Sequence, residues 1–196
     1  MNIIYQKQNL TIQEAFDLAI QNQQKNNLKV AENLYKGILK INPEHVGVYN
    51  NLGNIFLANK KFQDAVNCFE KAIQIDPNYA DAHSNLGTLY KSLGESEKAK
   101  NCFEKVIQLK PNNAVAHSNL GSVLLKLGKK QEAKASLEKS IQFDSNLKIS
   151  YSLLGTLLRQ QKEFKKAADY FKKLGTPLGN AQFLECVYFS NKMEDI

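Results

Sequence analysis

Apolar residues recur along most of the chain with the three-and-four spacing of an amphipathic helix. Phe69, Ala72 and Ile73 show this spacing, and the same pattern begins again at Phe103. Side chains at this spacing lie on one face of an α-helix, so each segment predicts a helix with one buried stripe. The recurrence of the whole stripe indicates a protein built from copies of one helical unit.

A fixed period connects these copies. The string Ala-His-Ser-Asn-Leu-Gly occupies residues 82–87 and again 116–121, an offset of 34 residues. Periods of this size are typical of repeat architectures. A leucine column and an alanine column each hold through five units: Leu18, Leu52, Leu86, Leu120, Leu154, and Ala31, Ala65, Ala99, Ala133, Ala167.

Glycines predict that each unit is a pair of closely packed helices. Glycine follows the leucine column in four units, although it costs about 0.5–1 kcal/mol relative to alanine inside a helix. We therefore expect another backbone to approach there, with the alanine column as its small partner. Gly94 and Gly128 lie in the turns, where glycine can end a helix in the left-handed conformation. The four column glycines are Gly53, Gly87, Gly121 and Gly155.

The columns resemble the tetratricopeptide repeat, whose 34 residues contain an aromatic, Leu-Gly, a second aromatic, a later Ala, a Phe and a closing Pro. The resemblance extends over about residues 12–181. It implies an all-α, right-handed superhelical solenoid of helix-turn-helix repeats with a concave and a convex face. The predicted units are residues 12–45, 46–79, 80–113, 114–147 and a shortened 148–176.

The two ends depart from the regular pattern. Thr11 and Glu14 have the spacing of a capping box, which leaves residues 1–11 as an N-terminal leader. Residues 177–196 align with a partial sixth repeat or capping helix, and Lys192 begins a stretch that matches the turn into a second helix. This abrupt end favours the front part of a longer protein over a complete chain with a short cap.

Small polar residues occupy the positions that point into the concave groove of such an array. The column Asn51, Asn85 and Asn119 resembles the asparagine ladder of O-linked N-acetylglucosamine transferases, which implies amides that hold the main chain of an extended peptide. An amide can pair with a peptide C=O and N–H together. The alternative is that these amides hydrate the surface or bond to neighbouring helices. The candidate peptide-binding residues, called the groove face below, are Asn50, Asn51, Asn54, Ser84, Asn85, Thr88, Ser118, Asn119 and Ser122.

The sequence thus predicts a scaffold that binds an extended peptide or a partner domain, and no enzyme. It contains no Gly-rich phosphate loop, nucleophile elbow or acid–base pair. The open alternative is an N-terminal substrate-docking segment of a larger enzyme such as a glycosyltransferase. Self-association through the C-terminal end near Phe183 and Val187 is a further possibility.

The spacing of the histidines and cysteines along the chain argues against a metal site and against a disulfide. His83 and His117 lie one repeat apart, about 8–10 Å between helix axes, whereas both ligands of one zinc ion lie about 2 Å from it. Cys68 and Cys102 have the same separation, beyond the reach of a disulfide. We therefore expect buried free thiols, no metal and no cofactor.

Charge and composition limit the classes of partner that the sequence predicts. The net charge is +7, but the lysines fall mostly in turns and second helices, which leaves the groove nearly neutral. Arg159 is the single arginine, and arginine is the preferred residue for phosphate and base contacts, so we expect no nucleic-acid partner. The sequence contains no run of about 18 apolar residues, so it predicts no membrane-spanning segment. The N-terminus lacks signal-peptide features, which predicts a cytoplasmic protein.

Overall fold

The computed structural model describes residues 10–194, and this part of the chain consists of eleven α-helices joined by short turns, with no strand. The predicted all-α class of helix-turn-helix repeats is confirmed. Residues 1–9 of the predicted leader lie outside the described residues. The helices are α1 (Ile12–Gln24), α2 (Leu28–Ile41), α3 (Val46–Ala58), α4 (Phe62–Ile75), α5 (Ala80–Leu93), α6 (Ser96–Leu109), α7 (Ala114–Lys126), α8 (Lys130–Phe143), α9 (Lys148–Gln160), α10 (Phe164–Lys172) and α11 (Pro177–Glu194).

The capping box predicted at the start of α1 is present. The backbone N–H of Glu14 donates to Oγ1 of Thr11 at 3.2 Å, and the backbone N–H of Thr11 donates to Oε2 of Glu14 at 2.8 Å. Two N–H groups that the helix itself leaves unpaired are thereby satisfied. The reciprocal pair explains why α1 begins at Ile12.

A left-handed residue ends the first helix of each of the first five hairpins. The prediction for Gly94 and Gly128 is confirmed, since their φ angles are +82° and +76°. The equivalent residues of the other hairpins are not glycine, but they adopt the same left-handed conformation. This conformation costs a residue with a Cβ atom about 1 kcal/mol. The residues are Asn26, Lys60 and Lys162, with φ of +60°, +58° and +63°.

The chain forms two compact units, Met1–Leu89 and Tyr90–Ile196. In the first unit α1 packs on α2, α2 on α3, and α3 on α4. Tyr35 and Ile38 of α2 and Ile55 of α3 are fully buried in its core. The amphipathic stripe of each helix is therefore covered by its sequence neighbours, as the three-and-four spacing predicts.

The second unit continues the same arrangement. Successive helices from α6 to α11 pack on one another. Its core includes Leu137 of α8, Leu154 of α9, Phe171 of α10 and Cys186 of α11, none of them exposed. The last helix is thus part of the core and covers the preceding hairpin.

The glycine of a first helix faces the large apolar residue of the second helix in the same hairpin. A Cβ atom on Gly53 would lie 2.5 Å from Cε1 of Phe69, and one on Gly155 would lie 2.7 Å from the same atom of Phe171. Real Cβ atoms essentially never approach so closely, so any larger residue would force the ring or the helix to shift. The nearest atoms belong to a side chain four residues after the alanine column, and the expected close backbone is present at Gly121, where a Cβ atom would lie 3.3 Å from the carbonyl oxygen of Ala133 in the alanine column.

Helix α11 differs from the predicted end. It continues without a break to Glu194, so the turn expected at Lys192 does not occur there. The residues at this point are good helix formers, and no glycine is available to end the helix. By contrast, Gly175, with φ of +60°, lies in the turn after α10.

The glycine contact predicts the effect of adding one methyl group. Gly53→Ala should lower the free energy of unfolding by about 1–3 kcal/mol, the usual cost of overpacking, although alanine favours the helix. Gly47→Ala in the same helix is the matched control, because its Cβ would approach no atom closer than the ring end of Phe16, at 3.1 Å, with His45 at an ordinary contact distance of 3.5 Å. Urea unfolding followed by circular dichroism measures both changes. Equal stability of the two variants would show that the contact with Phe69 does not require glycine.

Candidate functional site

In the first unit, the groove-face residues lie on α3 and α5, each of which is the first helix of its hairpin. Helix α3 carries Asn50, Asn51 and Asn54, and α5 carries the remaining three residues of this unit. Asn50 is buried, with 6% of its surface exposed. The other five are half-buried or exposed: Asn51, Asn54, Ser84, Asn85 and Thr88.

A buried tyrosine holds the first of the column asparagines. Nδ2 of Asn51 donates to the hydroxyl oxygen of Tyr35 at 3.0 Å. The same hydroxyl donates to Oε1 of Gln23, also at 3.0 Å. Burial raises the pKa of Tyr35 to about 12, although the bond from Asn51 opposes the shift. The phenol is therefore protonated at neutral pH and can donate and accept at once.

Amide–amide bonds connect neighbouring repeats within this unit. Nδ2 of Asn85 donates to Oδ1 of Asn50 at 2.8 Å, and Nδ2 of Asn50 donates to Oδ1 of Asn51 at 3.4 Å. The first of these bonds joins α5 to α3, as in the alternative interpretation of the column, whereas the second lies within α3. They leave one N–H of Asn51 and the Oδ1 of Asn85 without a hydrogen-bond partner among the described residues. Sequence reasoning missed Tyr35, whose column otherwise signals only core packing.

In the second unit Ser118 belongs to a buried hydroxyl cluster. Its Oγ lies 2.9 Å from Oγ of Ser150, which lies 2.8 Å from Oγ of Ser140. Ser140 also donates to the carbonyl oxygen of Ala114 at 2.8 Å. With 4% of its surface exposed, Ser118 would have to move to reach a ligand. The cluster connects α7, α8 and α9, and the hydroxyls satisfy each other in the core.

Asn119 and Ser122 are half-buried on α7, and a lysine reaches the first of them. Nζ of Lys91, at the end of α5, lies 2.5 Å from Oδ1 of Asn119. Burial lowers the pKa of Lys91, and the positive charge of Lys126 lowers it further. The expectation of a nearly neutral groove is therefore wrong in this unit. The sequence did not indicate Lys91 because the equivalent column elsewhere holds Leu57 and Leu125 as well as an arginine.

His83 and His117, which occupy equivalent positions one repeat apart, both bond to the backbone. A ring nitrogen, Nε2, of His83 lies 3.0 Å from the carbonyl oxygen of Pro77, and that of His117 lies 2.8 Å from the carbonyl oxygen of Pro111. Both rings are buried, and each fixes the turn before its own helix. Between residues 10 and 192, no group of three or more His, Cys, Asp or Glu side chains is arranged to hold a metal ion.

The three cysteines, all within the described residues, form no disulfide. Cys102 and Cys186 are buried, and Cys68 is half-buried. Burial, with a smaller effect from Asp64, raises the pKa of the Cys68 thiol to about 11. The thiolate is the reactive form, so at neutral pH this cysteine is a poor nucleophile.

An exposed apolar stripe on α11 is formed by Pro177, Ala181, Leu184 and Tyr188. Phe183 and Val187, near which self-association was expected, pack against the core of the second unit. The exposed large apolar residues of α11 are instead Leu178, Leu184, Tyr188 and Phe189, with 68%, 65%, 64% and 39% of their surface accessible. No helix in the described part of the chain is both long and apolar enough to span a membrane.

Family models match the middle of the chain. A model described as TPR repeat matches residues 53–94, and two described as tetratricopeptide repeat match residues 80–113 and 102–135. No curated protein matches the chain in sequence. The three overlapping matches cover the repeats in which the leucine, glycine and alanine columns are most regular.

Solved structures share the fold. A structure from the functional characterization of Pseudomonas aeruginosa pilF is 23% identical, with a TM-score of 0.79, and the match covers 94% of this chain and 85% of that one. A crystal structure of MamA protein is 24% identical, with a TM-score of 0.74 and coverage of 83% and 89%. YrrB, described as a TPR protein with an unusual peptide-binding site, is 19% identical, with a TM-score of 0.73 and coverage of 87% and 88%. Residues 53–135 therefore consist of tetratricopeptide repeats, and the chain has the fold of tetratricopeptide-repeat proteins.

Proposed function

We propose that the chain is a non-catalytic, cytoplasmic scaffold that binds an extended segment of a partner protein along its groove face. The observation that carries the proposal is the column Asn51, Asn85 and Asn119, half-buried on the first helices of three successive repeats. Asn51 and Asn85 retain amide groups that can bond to a ligand. YrrB, which has the same fold, is described as having a peptide-binding site, and this gives the proposal a precedent.

Repeat spacing suits recognition of a main chain. Helices pack about 8–10 Å apart, and an extended strand rises about 3.3 Å per residue. In the first unit, Asn51 and Asn85 would therefore meet about every third residue of an extended ligand. Main-chain recognition tolerates many side chains, because every residue except proline offers the same C=O and N–H.

The bonds within the groove face support binding instead of competing with it. Asn51 is held by Tyr35 and Asn50, so its remaining N–H has a fixed direction. A side chain already ordered loses less conformational entropy when a ligand binds. The alternative interpretation, bonds to neighbouring helices, and the ligand-binding interpretation are thus compatible at this position.

The glycosyltransferase alternative depends on the same three asparagines. None of the matched families and structures named above is a glycosyltransferase. The docking-segment alternative stays a prediction from sequence, and the full reading frame tests it.

Removing single amides tests the proposal. Asn51→Ala, Asn85→Ala and Asn119→Ala should each weaken binding of extended peptides by about ten-fold, the order expected for one or two hydrogen bonds. Asn67→Ala on the second helix α4 is the control and should bind normally, because the hydrogen bond of the Asn67 side chain among the described residues is with Gln63 on its own helix. The measurement is fluorescence anisotropy with peptides selected from a random library.

Stability must be measured alongside affinity, because Asn51 also bonds to Tyr35. Thermal unfolding of each variant shows which losses of binding follow from unfolding. Unchanged affinity in all three folded variants would contradict the proposal. A library that yields no binder for the native protein would contradict it as well.

A second function, self-association through α11, is favoured by the spacing of its exposed residues. Pro177, Ala181, Leu184 and Tyr188 follow one another at intervals of four, three and four and are all exposed. This is the spacing of the apolar stripe by which two helices pack. The stripe is short, so we expect a weak dimer.

Charge on the stripe tests this second function. Leu184→Lys should shift a concentration-dependent dimer to monomer in sedimentation velocity, because a lysine cannot be buried unpaired. Leu178→Lys is the matched control: Leu178 is an equally exposed leucine of the same helix, at 68%, but lies outside the stripe. A native protein that is monomeric at every concentration would refute self-association.

A further inference from the structure

A cluster of cationic and polar groups lies on the groove face of the second unit. Asn119, Ser122 and Lys126 have the spacing i, i+3 and i+7, which places them on one face of α7. Lys91 reaches this face from the last turn of α5, with Nζ 2.5 Å from Oδ1 of Asn119. Two ammonium groups, an amide and a hydroxyl are therefore presented together.

Neither lysine has a counter-ion. Lys91 and Lys126 form no ion pair with any carboxylate between residues 10 and 192, whereas Arg159 pairs with Glu185 at 2.6 Å. Helices α7 and α9 contain no Asp or Glu at all. Lys91 is half-buried, and its removal from water is reflected in a lowered pKa. An ammonium has three donors, and the bond to Asn119 uses one of them.

The cluster lacks a negatively charged partner, and an anionic group of a ligand would supply one. We propose that Lys91, Asn119, Ser122 and Lys126 form a subsite that receives an Asp or Glu side chain of the bound peptide, so that the partner segment is acidic. The inference rests on the proposed peptide-binding function and gives it a partner chemistry. A carboxylate accepts hydrogen bonds only, and it matches two ammonium groups, an amide N–H and a hydroxyl.

Peptide is favoured over nucleic acid at this position. Arginine is the residue suited to bidentate phosphate contacts, and Arg159 is already bound by Glu185. The subsite has two lysines beside an asparagine column that is suited to a peptide main chain. This combination fits an acidic side chain on an extended segment.

Paired peptides test the charge preference. A binder selected from a random library is compared with versions in which each Asp or Glu is replaced by Asn or Gln, by fluorescence anisotropy at low and at physiological salt. The acidic peptide should bind about ten-fold more tightly than its neutral counterpart, the order expected for one charge-assisted hydrogen bond. Higher salt should reduce the difference.

Lysine variants locate the preference. Lys91→Met should abolish the ten-fold difference, and Lys126→Met should reduce it. Lys105→Met is the matched control, because Lys105 is also half-buried but lies on the second helix α6. Circular dichroism establishes folding, and Lys91→Gln replaces Lys91→Met if the latter unfolds.

Each outcome has a distinct meaning. Peptide binding without acidic preference, or a preference that survives in both lysine variants, would overturn the subsite and leave the proposed function intact. Absence of any peptide binding would overturn both. A single-stranded oligonucleotide that displaces the peptide, and whose own binding is lost in Lys91→Met, would overturn the assignment to a peptide carboxylate.

Discussion

In the hairpins α3/α4, α7/α8 and α9/α10, the contact between the glycine of the first helix and the large apolar residue of the second helix is the constraint on which the rest of the hairpin depends. Where Gly53 meets the ring of Phe69, the two helices approach so closely that any larger residue would collide. This approach directs the leucine and glycine columns inward and rotates the residues one and two positions earlier towards the groove face. The position of the asparagine column is therefore a consequence of how the hairpin packs. The small polar residues of the groove face and the large apolar residues of the core therefore follow from the same packing contact.

In the proposed function, the polar residues of the groove face serve both structure and recognition. Asn85 bonds to Asn50 and Asn51 bonds to Tyr35, so part of the hydrogen-bonding capacity is spent between helices. What remains is directed and limited, which suits a repeated main chain better than a particular side chain. In the second unit the equivalent asparagine, Asn119, has a lysine as its partner. Lys91 introduces charge into the groove face, and under the proposed function this charge is the physical basis for selecting among peptides.

Sequence reasoning succeeded where local rules decide the structure. The period, the capping box at Thr11 and the left-handed glycine at Gly94 all follow from spacing and backbone preference. It did not foresee contacts that depend on which helix lies opposite, such as Tyr35 with Asn51. The exposed position of Leu184 was missed for a related reason: alignment with earlier repeats identifies a column, but burial depends on the helix that covers it.

The central claim is that the asparagine column contacts the main chain of a bound peptide. Side-chain amide resonances test it most directly, in a ¹⁵N-labelled protein titrated with a library-selected peptide and then with the same peptide N-methylated at alternate residues. We expect the Asn51, Asn85 and Asn119 signals to shift with the first peptide and those of Asn67 and Asn101 on second helices to stay in place. N-methylation of the peptide should abolish the shifts. Binding that leaves the three column signals unchanged, or that is unaffected by N-methylation, would contradict the claim.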